Sequence, residues 1–300
     1  MQVLYAMNRD SQITYQQASV RYKQSIDRSY ELFLFHLHQM LRILAYAKKD
    51  AASKSSKLLP SDYDKQFTDK LYENDLVQSL VNNNRLSQAI KKYKLDGRID
   101  PDITRKLYST FSKSEEYTKY IRQNDSQKED HEAILLELYR NCIASELFVD
   151  RVEDHYNNWI DDKSLVVGSI KKVLKALPAE EDFLDEFIPN EETVKVFGEK
   201  LLSQVCEENE ELLAIIEPSL NNWDVDRVAV IDMILLKMAL CELLYFKSIP
   251  TKVTLNEFVE ISKLYSTDKS KDFINGILDR LMKELAKEGK IKKEGRGLME

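Results

Sequence analysis

Apolar residues recur at three- and four-residue intervals along almost the whole chain, the spacing of helices buried on one face. After an opening run QVLY, residues Tyr22, Ile26, Tyr30, Phe33, Leu34, Leu37, Leu41 and Leu44 form one long stripe. Ser53 to Ser61, rich in serine and containing Pro60, reads as the first loop. Helices are then expected over 73–94, 101–123, 127–160 and 163–177, with turns at Asp96-Gly97 and Ile99-Asp100-Pro101 and a polar break from Asn124 to Lys128. Ile134, Leu135, Leu138, Tyr139, Cys142, Ile143 and Leu147 give the cleanest stripe in that region.

Phe197, Leu201, Leu202, Val205, Leu212, Ile215 and Ile216 open a second group of helices. Ile231, Ile234, Leu235, Met238 and Tyr245 share one face of a further helix, which Pro250 ends. Thr254 and Glu257 offer a capping box for the next, lined by Leu255, Phe258, Ile261 and Tyr265. After the polar stretch Ser266 to Ser270, a last helix carries Phe273, Ile274, Ile277, Leu278, Leu281 and Leu285 on one side. The pattern predicts an all-α protein of two packed helical subdomains, residues 1–185 and 186–288, with a flexible tail over 289–300. The acidic stretch Pro178 to Glu192 is the expected boundary.

Composition agrees with this class. Seven glycines and six prolines in 300 residues leave little turn chemistry for a sheet protein. Cys142, Cys206 and Cys241 are odd in number and far apart, which offers no disulfide framework and fits a reducing cytoplasm. No secretory leader pattern opens the chain, and His36, His38, Gln39 and Arg42 interrupt the most apolar stretch, against a membrane span. The net charge of −7 conceals a division. Residues 1–58 carry nine Lys/Arg against four Asp/Glu, residues 180–226 carry fifteen acids against two lysines, and the end is basic again. Local patches, not the total, decide whether such a chain binds nucleic acid.

No phosphate-binding loop, dinucleotide fingerprint, HExxH or GxSxG pattern is present, so no enzyme is predicted and no cofactor is implied. His36 and His38 point about 200° apart on a helix and make a poor metal pair. His131 and His155 have no ligand at metal spacing. Gly276, inside a helix at a cost of roughly 1 kcal/mol, suggests close approach of a neighbouring helix. Phe273 suits a core stripe. It also follows Lys269, Ser270 and Lys271 in a first turn where free N–H groups can meet phosphates, a setting in which a ring can stack on a base, although a phenylalanine on such a stripe is usually core.

The frame W-x3-R…D-x6-A-x2-EL…P-x-K-V-x-x-NE…FxNGxLD resembles the NusB family of bacterial transcription antitermination factors. Trp223, Arg227, Asp232, Ala239, Glu242, Leu243, Pro250, Lys252, Val253, Asn256, Glu257, Phe273, Asn275, Gly276, Leu278 and Asp279 carry it, and Gln2, Val3, Leu4 and Tyr5 match the family's QxLY signature. The resemblance implies a factor that binds single-stranded boxA RNA together with NusE, a small-subunit ribosomal protein. It would join NusA and NusG on RNA polymerase and promote read-through in ribosomal RNA operons. It assigns RNA contact to Tyr5, Ser270, Lys271 and Phe273, and a protein-partner surface to Asp232 and Lys269. There are departures. The arginine-rich arm that precedes the QxLY helix in the family has no counterpart after Met1, which implies weak RNA binding with a shallow salt dependence. Ser266 stands where many members have glycine, and Lys269 replaces the second member of an acidic pair. The alternatives are a helical scaffold without an RNA site, or the NusB-like part of an RNA cytosine methyltransferase. The latter needs a catalytic domain for which the residues after Leu281 are too few. Residues 62–177 match nothing in the smaller family members.

Overall fold

A computed structural model describes residues 1–62, 64–220 and 225–294, with Asp226 described by its backbone alone. All regular structure among them is helical. The chain divides into two compact units, Met1–Gln24 with Asn190–Glu300, and Ser25–Pro189. The opening helix thus belongs with the C-terminal residues, whereas the pattern grouped it with residues up to 185. The chain begins with α1 (Gln2–Arg9) and α2 (Tyr15–Ser55). A reciprocal capping box starts α2: Gln17 N donates to Thr14 Oγ1 (3.3 Å) and Thr14 N to Gln17 Oε1 (3.0 Å).

The unit Ser25–Pro189 continues through α3 (Lys70–Glu73), α4 (Asp75–Val81), α5 (Asn84–Lys92), α6 (Pro101–Phe111), α7 (Glu115–Arg122), α8 (Lys128–Ala144), α9 (Glu146–His155) and α10 (Trp159–Lys175). Three of the expected long helices are therefore broken, and a side chain accounts for most of the breaks. Asn74 Oδ1 accepts from Val77 N (3.1 Å), Asn83 Oδ1 from Leu86 N (2.9 Å) and Ser114 Oγ from Tyr117 N (3.2 Å). Each cap satisfies a first-turn N–H and restarts the helix in a new direction. The breaks at Ser145 and at Tyr156 to Asn158 have no side-chain cap. Asp100 caps α6 in the same way, with Pro101 at its first position. The core is strongly aromatic: Phe35, Tyr108, Phe111, Tyr117, Tyr139, Phe148, Tyr156 and Trp159 are fully enclosed.

In the other unit a π-helical stretch, Glu192–Glu199, leads into α11 (Lys200–Glu207), followed by α12 (Asn209–Ile216), α13 (Val230–Tyr245), α14 (Thr251–Tyr265) and α15 (Ser270–Lys287). Tyr22 explains a feature of the π-helical stretch. Its hydroxyl donates to Val194 O (3.0 Å), and a Cβ on Gly198 would stand 1.9 Å from that hydroxyl. Helices α13, α14 and α15 pack on one another, and α1, α11 and α12 pack on α13. The core is aliphatic, built on Leu4, Leu202, Leu235, Leu240, Ile274 and Leu278.

Two expectations change here. Helix α14 begins at Thr251, directly after Pro250, so Thr254 caps nothing; it is buried and its Oγ1 donates to Glu242 Oε1 (2.7 Å). Residues 293 and 294 are tied down: Lys293 Nζ donates to Glu242 O (3.0 Å) and Phe246 O (2.9 Å), and Glu294 N to Lys247 O (2.8 Å). The remainder of the expected tail, residues 295–300, lies outside the described residues, as does Trp223.

Candidate functional site

The start of α15 is built from α13. Asp232 sits in the first turn of α13, where a carboxylate is favoured by the helix dipole. It is only 5% exposed, and it accepts hydrogen bonds from Ser266 Oγ (2.5 Å) and Ser270 Oγ (2.7 Å). Ser270 Oγ also lies 2.9 Å from both Ser266 Oγ and Thr267 Oγ1. Four side chains therefore form one small polar lock that fixes the α14–α15 turn against the head of α13. A buried carboxylate with several hydroxyl donors is satisfied in place, and such a network holds its geometry tightly.

The lock places two of the expected site residues inside the turn: Ser270 is 3% exposed with its hydroxyl turned inward, and Asp232 accepts hydrogen bonds from within the lock. Both act by holding what stands next to them. Lys269 and Lys271 flank Ser270 and are exposed, while Phe273 is half-buried, its ring packed on the edge of the aliphatic core. Tyr5, 39% exposed on α1, is joined to this group through α13, on which both α1 and α15 pack. Gly276 also differs from expectation: it faces outward, and no neighbouring atom lies within 4 Å of where its Cβ would be. Nothing in the packing requires glycine there. Sequence reasoning overlooked Ser266 and Thr267 as members of the lock; the signal was the hydroxyl density of S-T-D-K-S in so short a turn.

Elsewhere in the same unit a cavity of about 570 Å³ opens among α1, α11, α12 and α13, with Lys237 the one charged wall residue among the described residues. Lys237 Nζ donates to Asn209 Oδ1 (2.7 Å), and burial pulls its pKa down. Among the described residues no group of three or more His, Cys, Asp or Glu side chains converges to hold a metal, and no helix is long and apolar enough to cross a membrane.

Residues 167–283 match the model of the NusB family. The "Transcription antitermination protein NusB" of Listeria monocytogenes is 40% identical over 119 residues, which is 38% of this chain and 93% of that protein. The chain belongs to the NusB family. NusB proteins of Salinibacter ruber and Chloroherpeton thalassium are 43% identical over 103 residues and 41% identical over 106. The chain spans 64% and 50% of the lengths of those two relatives. No solved structure matches. The NusB match runs from within α10 through most of α15, so it contains the Asp232 lock, Lys269, Lys271 and Phe273. Residues 25–166 lie outside it.

Proposed function

We propose that this NusB-family chain is a non-catalytic, cytoplasmic, RNA-binding transcription antitermination factor. It recognises boxA-type single-stranded RNA together with NusE and joins NusA and NusG on RNA polymerase, promoting read-through in ribosomal RNA operons. The observation that carries this reading is the rigid presentation of Lys269, Lys271 and the edge of Phe273 by the Asp232–Ser266–Ser270 lock, inside the stretch that matches the family. Phosphates meet the cations, and a base stacks on the exposed part of the ring, with Tyr5 extending the surface. Lys269, at the corner of the α14–α15 turn, faces the protein partner.

Filter binding with boxA RNA, with and without NusE, tests it. Phe273→Ala is expected to weaken binding by about 1–3 kcal/mol. Thermal melts must accompany it, since a half-buried ring also supports the fold. Lys271→Ala is expected to lower the slope of log affinity against log salt by about 0.7. Lys269→Glu is expected to remove the gain from NusE while leaving RNA binding alone unchanged. Absence of boxA binding with or without NusE would replace this reading with that of a helical scaffold.

A further inference from the structure

The unit Ser25–Pro189 has a cleft of about 250 Å³ between the middle of α2, the segment from α3 to α4, and α5. Leu80, Leu86 and Ile90 make its apolar floor, and Ser87 stands half-buried on its wall. Two exposed cations line it, Arg42 from α2 and Lys91 from α5, and among the described residues neither is in an ion pair. The dipole of α5 favours Lys91 in its last turn, but Arg42 lies in mid-helix, where no such effect operates. The segment that follows, Lys92-Tyr93-Lys94, extends the positive charge.

His38, 5% exposed, also lines the cleft. Its Nε2 lies 3.0 Å from Asp96 Oδ1, and its Nδ1 is buried with no hydrogen-bond partner. Burial holds the imidazole below its ordinary pKa, with Asp96 opposing and Arg42 reinforcing the effect. In the neutral form Nε2–H donates to Asp96, and Nδ1 is left as an acceptor. The cleft thus combines cations for an anion with an apolar slot for a flat body, and the imidazole of His38, held on Asp96, is set in its wall. At about 250 Å³ it is smaller than the roughly 300–1,000 Å³ of sites that enclose a whole drug-sized ligand. It suits a single unit.

We propose that this cleft binds one nucleoside phosphate, its phosphate on Arg42 and Lys91 and its base or ribose in the slot beside His38. The ligand is either a free mononucleotide or one unit of a single-stranded RNA. In the second case the inference rests on the RNA-binding reading above and gives residues outside the family match a part in holding the strand.

The test uses the full chain and two cleft variants, Arg42→Ser/Lys91→Ser and the slot-filling Ser87→Trp, with Lys106→Ser/Lys113→Ser as a control of equal charge change. Binding is measured to uridine and adenosine 5′-monophosphate, to a minimal boxA RNA, and to the same RNA extended on both sides. If the source is RNA, both cleft variants weaken binding of the extended RNA by at least about fivefold, the control does not, and the minimal RNA is unaffected. If the source is a free nucleotide, monophosphate binding is detected and both cleft variants abolish it. Cleft variants that fold and bind every ligand as the parent does overturn the proposal, as does a loss matched by the control. Phe273→Ala, run alongside, separates the two readings. Loss there with intact cleft variants sinks only the cleft, and the reverse pattern sinks only the α15 surface.

Discussion

The two units are both all-helical, yet they are held together by different physics. The unit Ser25–Pro189 encloses eight large aromatic side chains and threads polar bonds between them. His36 Nδ1 pairs with Tyr139 OH (2.9 Å), Gln39 Nε2 donates to Thr104 Oγ1 (3.0 Å), Tyr108 OH donates to Asp50 Oδ2 (3.0 Å), and Arg98 bridges Glu31 and Tyr156. The other unit packs Leu, Ile and Val with little direction, and among the described residues the hydrogen bonds between its buried polar side chains fall in two places, the Asp232 lock and the Glu242–Thr254 pair. All four histidines of the chain lie in the first of these units and none in the other. An aliphatic core tolerates volume-conserving exchange, while a core of bonded aromatics is sensitive to single atoms.

The largest expected effect follows from that contrast. Trp159→Ala removes a ring that is 1% exposed and should cost about 3–5 kcal/mol. Hydrogen exchange read peptide by peptide should show lost protection across Ser25–Pro189. A cost below about 1 kcal/mol would mean that the aromatic core closes up around the gap and is no stiffer than an aliphatic one. Next in size is Asp232→Ala, which leaves the Ser266 and Ser270 hydroxyls with only each other and Thr267 and should cost about 1–3 kcal/mol. Its second readout is functional: with the turn released, Lys271 and Phe273 lose their fixed placement and boxA binding should fall although neither residue has changed. Unchanged affinity in a folded variant would remove the lock from the account of the site.

The periodicity of Ile134 to Cys142 or of Ile274 to Leu285 was enough to read helices and their buried faces, but Leu147, expected on the first stripe, lies past the break at Ser145 and is exposed. The breaks at Asn74, Asn83 and Ser114 were not legible, because each lies in a short polar run (Glu73-Asn74-Asp75, Asn82-Asn83-Asn84, Ser112-Lys113-Ser114) that reads equally well as the solvated face of a continuing helix, with no glycine or proline to mark it. Capping became decisive only once the following helix had somewhere to pack. The Asp232 lock was legible as ingredients, a hydroxyl-rich turn and an aspartate, but they stand more than thirty residues apart in sequence. The same holds for His38 and Asp96, which are 58 positions apart. Resemblance located the α15 surface, and only the coordinates separated the residues that face outward from those that hold them.

A smaller effect should appear on acidification. Burial pushes the His36 imidazole down to about 3, so in the folded chain it stays neutral while the unfolded chain takes up a proton near 6.5. The stability this contributes is present above pH 6.5 and is lost as pH falls toward 3. His38, His131 and His155 are shifted in the same direction by burial. In the other unit the Met1 amine, lowered to about 6 by burial, loses its contribution between pH 8 and 6. Between pH 6 and 5, therefore, Ser25–Pro189 should lose about 1.2 kcal/mol through His36 alone, a loss with no histidine counterpart in the other unit. Hydrogen exchange at the two pH values compares them directly. Equal losses in both units would mean that buried histidines do not set the difference.

The smallest expected effect has the opposite sign and belongs to the aliphatic unit. Glu242 is buried in α13, and desolvation raises its pKa, with Thr254 and Lys293 opposing and Glu257 adding to the shift. A carboxyl whose folded pKa is raised favours folding below about 4.5 and loses that contribution as pH rises through the folded value. At neutral pH the carboxylate is thus a burden that the Thr254 hydroxyl, donating at 2.7 Å, only partly relieves. Glu242→Gln keeps the shape and still accepts from Thr254 through its amide oxygen, but carries no charge to desolvate. It should raise stability at pH 7 by up to about 1 kcal/mol and leave stability at pH 4 almost unchanged. Denaturant titrations at the two pH values measure both. A loss of stability at pH 7 would mean that the charge itself is needed, with Lys293, whose amine already holds the Glu242 and Phe246 carbonyls, as the group that needs it.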